Sequence, residues 1–126
     1  MKFVNKQLAM ILKEKGFKEP CFGFYNPIQD ELQLHCANNN DVTYKNILTS
    51  VYKNKVLVDA PTIEQVLKWL REEKDFMVFP VYSNNTSRWY CEIVNVDSLE
   101  SEKLPLSDSY EDAVIAGIEY VIKNLI

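Results

Sequence analysis

The stretch that most limits what this chain can fold into is Ala60-Pro61-Thr62-Ile63-Glu64-Gln65-Val66-Leu67-Lys68-Trp69-Leu70-Arg71-Glu72-Glu73-Lys74. Ile63, Val66, Leu67 and Leu70 recur at i, i+3, i+4 and i+7, which places them on one side of a 3.6-residue spiral. Trp69 borders that stripe, and Glu64, Gln65, Lys68, Arg71 and Glu72 take the wet side. Thr62 is placed to cap the helix with its hydroxyl, and Gln65, three residues on, to reach back in a capping box. Pro61 biases Ala60 to an extended conformation just before the cap. A helix with one apolar stripe needs a surface to bury it, and the rest of the chain must supply that surface.

The size suits a single domain, residues 1–126, with a core of its own. No window approaches the run of about 18 apolar residues that spans a membrane, and no apolar segment follows Lys2 as in a secretory signal. The expected location is therefore the cytoplasm. The three cysteines, Cys21, Cys36 and Cys91, are odd in number and lack CxxC spacing, which suits reduced and mostly buried thiols.

A net charge of −4 argues against a surface that grips nucleic acid all over. The charge is uneven, however. Lys2, Lys6, Lys13, Lys15 and Lys18 face only Glu14 in the first eighteen residues, while Asp97, Glu100, Glu102, Asp108, Glu111 and Asp112 face only Lys103 near the other end. The lysines read first as the solvated side of a helix and second as a basic patch.

In chain order, Phe3–Lys15 reads as a helix capped by Asn5, with Leu8, Ile11 and Leu12 inward and Ala9 beside them. Gly16 is placed to end it in a left-handed turn, with Phe17 docking behind. Residues 21–25 read as a strand, and Leu32–Ala37 as its antiparallel partner with Leu32, Leu34 and Cys36 on one face. Residues 42–59 give no clear period, apart from a short strand signal over Lys55–Val58. After the helix at 60–74, Phe76–Tyr82 is a continuous apolar run, Ser83–Ser87 a hairpin loop, and Arg88–Val96 the return strand. There, Trp89, Cys91 and Ile93 share one face, and Tyr90, Glu92 and Val94 the other. Pro80 lacks an N–H, so its strand is expected at a sheet edge, or with that nitrogen turned away from its partner. Ser98–Ser107 reads as a polar connection. The last helix is capped by Asp108 or Ser109 and carries Tyr110, Val114, Ile118, Val121 and Leu125 in a stripe. Ala113 and Gly117 leave that helix thin enough for close approach to a neighbour.

The order is α-β-β-(irregular)-α-β-β-α, an α+β fold. The expected architecture is a small antiparallel sheet of two hairpins with helices packed on one face.

Ala60-Pro61-Thr62, Val66-Leu67-Lys68-Trp69-Leu70-Arg71-Glu72, a following hairpin, and Tyr110-Glu111-Asp112-Ala113 through Ala116-Gly117-Ile118 together resemble small uncharacterised proteins carried on prophages and mobile elements of gut bacteria. The corner Lys15-Gly16-Phe17, with Cys21 and Tyr25, is similar to the N-terminal part of such proteins. The helix–hairpin–helix half is also similar to phage ABA sandwich domains. The resemblance covers about two thirds of the chain and implies a plan and a genomic setting, with no established activity to carry over.

Chemistry-bearing residues are sparse. His35 is the one histidine, and its neighbour Cys36 would point to the opposite face of a strand, so the two share a site only across a bulge. A zinc site usually needs four ligands, which only distant residues could complete. The carboxylates Glu72, Glu73, Asp75, Glu92, Glu100 and Glu111 fall in no hydrolase or nuclease spacing. No phosphate-cradling glycine motif is present. No metal, cofactor or catalytic residue is therefore assigned, and the chain is read as a non-enzyme. Phe79, Tyr82, Arg88, Trp89 and Tyr90 form the candidate interface, with core packing against the first helix as the competing account.

The leading expectation is a non-catalytic protein-interaction or accessory protein of a prophage or mobile element. It would bind a protein partner, including a second copy as a homodimer, through the uncovered sheet face or the edge strand bearing Pro80. One alternative is a nucleic-acid-associated factor using Lys6, Lys13, Lys15 and Lys18 with Arg88 and the aromatics. The other is a small enzyme using His35, a cysteine or paired carboxylates.

Overall fold

A computed structural model of the chain describes residues 2–25, 31–34 and 58–126. It divides into two units, residues 1–62 and 63–126, each with its own three-stranded antiparallel sheet.

In the first unit, α1 (Lys6–Glu14) starts where Asn5 stays extended and its Oδ1 accepts from the Leu8 N–H at 2.8 Å. Leu8, Ala9 and Leu12 are buried, as their spacing predicts. The helix ends in a Schellman turn. Gly16 takes φ 96°, its N–H donates to Lys13 O, and Phe17 N–H donates to Leu12 O. Phe17 and Leu12 are both buried and close this corner. The sheet has β1 (Gly23–Tyr25) in the centre, between β2 (Leu32–Leu34) and β3 (Val58–Ala60). Beyond β3, Phe3 bridges Thr62 and Val4 N–H donates to Pro61 O, which ties the chain start to the end of this unit. The Tyr25 hydroxyl donates to Val4 O inside the unit, and α1 packs on β3.

In the second unit, α2 (Ile63–Glu73) buries Ile63, Val66, Trp69 and Leu70. Leu67 is only half-buried, so the inward stripe is turned slightly toward Trp69, with Lys74 Nζ 5.4 Å from the indole centroid. Asp75 at φ 62° reverses the chain directly into β4 (Phe76–Ser83). β4 pairs with β5 (Arg88–Asn95) from Phe76↔Asn95 to Ser83↔Arg88, and β6 (Ser101–Lys103) pairs on the other side of β5. The last helix, α3 (Tyr110–Tyr120), runs into a π-helical turn over Val121–Leu125. Both α2 and α3 pack on the β4–β5 hairpin and touch each other. Gly117 sits hard against the sheet: a Cβ there would lie 2.4 Å from Cys91 Sγ and 2.6 Å from Val78 Cγ1. The thin side of α3 therefore faces strands.

The α+β class, the element order and the pair of helices on one sheet face stand as expected. Several details differ. The hairpins belong to separate sheets, because each gains a short third strand, β3 or β6, instead of joining the other. Ser98–Ser107 is no mere connection: Ser101–Lys103 pairs with β5, Leu104 N–H donates to Cys91 O, and Ser107 and Trp89 exchange backbone bonds. The face bearing Leu32 and Leu34 points outward, and Gln33 is the half-buried residue of β2. Ser109 is the cap of α3, its Oγ accepting from Asp112 N–H at 3.1 Å, while Asp108 pairs with Arg88. Tyr110 and Leu125, the two ends of the expected stripe, are exposed.

Candidate interaction surface

The alternation of the β4–β5 hairpin creates two different faces. Directly opposed residues share a face, and Val78 and Cys91 mark the one under α3. The opposite face carries Met77, Phe79 and Val81 from β4 and Tyr90, Glu92 and Val94 from β5, with Ser101 and Lys103 from β6. Met77 is exposed; the other five residues from β4 and β5 are half-buried. Neither α2 nor α3 covers them. Lys103 Nζ lies 5.9 Å from the Tyr90 ring centroid, a cation–π contact worth about 0.5–1 kcal/mol at an accessible site.

The structure divides the five candidate interface residues. Phe79 and Tyr90 lie on the open face. Tyr82 and Trp89 lie on the helix-bearing face, where Trp89 meets Tyr82 edge-on at 5.2 Å and Tyr110 at 5.3 Å. Arg88, at the loop end of β5, is held by Asp108 at 3.0 Å. Tyr82, Trp89 and Arg88 thus help fasten the start of α3 to the tip of the hairpin. Met77, Val81, Val94 and Lys103 belong with Phe79 and Tyr90. Strand parity could have found the first three; Lys103 could not be placed without β6.

Pro80 is on an edge strand, as expected. Its orientation follows from the hydrogen bonds. Trp89, Cys91 and Asn95 turn their peptide groups toward the β6 side, bonding Ser107, Leu104 and Glu100. Cys91 therefore does not bond across to Pro80, and Pro80 presents its donor-less nitrogen to the outer edge. A gap in the row of outward donors hinders addition of another strand along β4, which shifts attention from this edge to the open face.

The first unit holds a groove of about 350 Å3 lined by Ala9, Lys13, Phe17, Lys18, Glu19 and Asp59. Lys13 and Lys18 here confront two carboxylates, a poor setting for a polyanion. Lys2, Lys6 and Lys15 each already make an interaction within the chain.

His35 and Cys36 lie outside the described residues. Cys21 is half-buried with its Sγ donating to Glu19 O. Burial pushes the Cys91 thiol up to about 11, which keeps it protonated and a poor nucleophile at neutral pH. Among the described residues, no group of three or more His, Cys, Asp or Glu is placed to hold a metal ion. A small hollow of about 180 Å3 is bordered by Asn95, Glu100, Glu102 and Leu125. Beside it the Tyr120 hydroxyl donates to Glu102 Oε2 at 2.6 Å. That hydrogen bond, then desolvation and the carboxylate's charge, raise the tyrosine's pKa, so the pair is a structural donor and acceptor. No helix among the described residues is long and apolar enough to cross a membrane.

Comparison of the chain with protein-family models, with curated proteins and with solved structures finds no match.

Proposed function

We propose that this chain is a non-catalytic interaction protein, an accessory component of a mobile element acting in the cytoplasm. It docks a protein partner on the open face of the β4–β5–β6 sheet. The observation that carries this reading is the contrast between the two faces of one hairpin. One is filled by Val78, Ile93 and Cys91 against α3; the other leaves Met77, Phe79, Val81, Tyr90 and Val94 without a helix from their own unit. Partly exposed large apolar side chains in a contiguous group are the usual content of a docking surface. The likeness to small prophage proteins supports the genomic setting, which the neighbouring genes would test.

The docking claim is tested with a photo-crosslinking side chain at Val81 and the full chain expressed in its host. A discrete adduct, to another protein or to a second copy, is expected. It should disappear with Phe79→Asp while circular dichroism stays unchanged. An adduct that persists in Phe79→Asp, or none at all, would overturn the reading. Light scattering separates a homodimer from a different partner.

A further inference from the structure

We propose that the occupant of the open β4–β5–β6 face is a single basic, amphipathic helix of another protein, which sets a lysine or arginine against Glu92. This rests on the docking reading above and names the partner that such a face takes. The dimensions of the face set the shape. β4 and β5 pair over eight residues each, and β6 adds a third strand. Eight strand residues run about 26 Å, and three strands span about 10 Å from first to last. That is the length of about 17 helical residues and the width of one helix. The opposite side of the same hairpin already takes helices, α2 and α3. A strand added at the β4 edge fits less well, since Pro80 leaves a gap in its row of donors.

Charge sets the chemistry. Glu92 stands half-buried in the middle of the face, opposite Phe79 on β4 and Lys103 on β6. Lys103 holds its ammonium over the Tyr90 ring, and among the described residues no ion pair or hydrogen bond answers the Glu92 carboxylate. An uncharged helix laid across the face would strip water from that carboxylate and leave it unpaired. A basic side chain offsets that cost. The surroundings carry the same sign: residues 63–126 hold six Lys or Arg against twelve Asp or Glu, a net charge of −6. Asp75, Asp97 and Glu100 are exposed at the end of the hairpin where Val96 N–H donates to Asp75 O, while Arg88 at the other end is held by Asp108. Such a field attracts a basic segment and repels nucleic acid. A second copy would bring the same acidic unit against itself.

The test uses the full chain in its host, with the photo-crosslinking side chain at Val81, and maps the joined peptide by mass spectrometry. The expected adduct is to another protein, in a segment with an apolar stripe at helical spacing and an excess of Lys and Arg. Glu92→Lys should lower the adduct yield at least about tenfold, and the isosteric Glu92→Gln about threefold. Circular dichroism checks that each variant folds, and Glu92→Gln carries the test if Glu92→Lys does not. An adduct that is lost in Phe79→Asp but indifferent to folded Glu92 variants would overturn this inference and leave the docking reading standing. So would one mapped to an acidic segment or to a second copy. No adduct, an adduct to nucleic acid, or one that persists in Phe79→Asp would overturn both.

Discussion

Among the described residues, the two sheets have the same number of strands and the same antiparallel pattern, yet different things hold them. In the second unit, β4 and β5 pair over eight residues each, and one face is sealed by α3 through Gly117. In the first unit, each strand among the described residues is three residues long. A strand that short offers one or two side chains to each face, too few for alternation to specify register alone. Single residues take over: Asn5 at the cap, Gly16 and Phe17 at the helix end, the Tyr25–Val4 bond, and Phe24 in the central strand. Sensitivity to mutation should therefore be concentrated in the first unit and spread in the second.

The largest effect is expected at Phe24, which is fully buried. Phe24→Ala should cost about 3–5 kcal/mol, the range for deleting a buried aromatic ring. Urea unfolding would measure it, with hydrogen exchange at Gly23, Leu34 and Ala60 rising with the loss. A cost below about 1 kcal/mol would mean that the short-stranded sheet does not rest on its central residue.

The second unit has one buried group whose charge the fold resists. Cys91 has its pKa raised from 9.0 to about 11 by desolvation. The folded state thus holds its proton more tightly than the unfolded chain. Its contribution is intact below pH 9 and declines as pH rises from 9 toward 11, by an amount on the order of 2–3 kcal/mol. Cys91→Ala, although less stable through its cavity, should show a flatter loss over that window. Cys21, half-buried, should react with thiol reagents in the native state before Cys91 does.

The same difference in strand length explains what could be read from sequence. The 76–96 hairpin, its two faces and the edge position of Pro80 were legible because eight-residue strands repeat their pattern. So were α1 with its Asn5 cap and Gly16–Phe17 end, and the buried centre of α3. β6 was not legible, because Ser101, Glu102 and Lys103 are all exposed and carry no apolar alternation. Its pairing follows instead from the turn before it. Asn95 Oδ1 accepts from Asp97 and Ser98 N–H, and Leu99 takes φ 62°. β3 was blurred for a related reason: its three residues adjoin a segment with no period. Without β3, Asp59 has no place beside Lys13 and Phe17, and the groove cannot be assembled. Among the interface candidates, sequence grouped aromatics by proximity, whereas register separates Phe79 and Tyr90 from Tyr82 and Trp89.

A smaller effect is expected at Gly117. Gly117→Ala gains roughly 1 kcal/mol of helix propensity, but its methyl would collide with Cys91 Sγ and Val78 Cγ1. Overpacking costs about 1–3 kcal/mol, so net destabilisation of up to about 2 kcal/mol should appear in urea titration. Combining it with Cys91→Ala should cost less than the sum of the single changes, because the removed sulfur makes room for the methyl. Strict additivity would show that α3 does not approach the hairpin through this residue.

The smallest contrast lies between the two helix caps. Asn5 and Ser109 both accept a first-turn N–H, at 2.8 and 3.1 Å. The helices behind them differ: α1 has no acidic residue in its first turn, whereas α3 has Glu111 and Asp112. Carboxylates there offset the partial positive charge of a helix start. Removing the cap of α3 thus leaves some compensation in place, and removing that of α1 leaves none. Asn5→Ala should cost about 1 kcal/mol and Ser109→Ala closer to 0.5 kcal/mol. Raising salt should reduce what the α3 carboxylates contribute and bring the two costs together. Equal costs at low salt would show that the carboxylates of α3 do not answer its helix start, and that the hydrogen bond alone sets the worth of each cap.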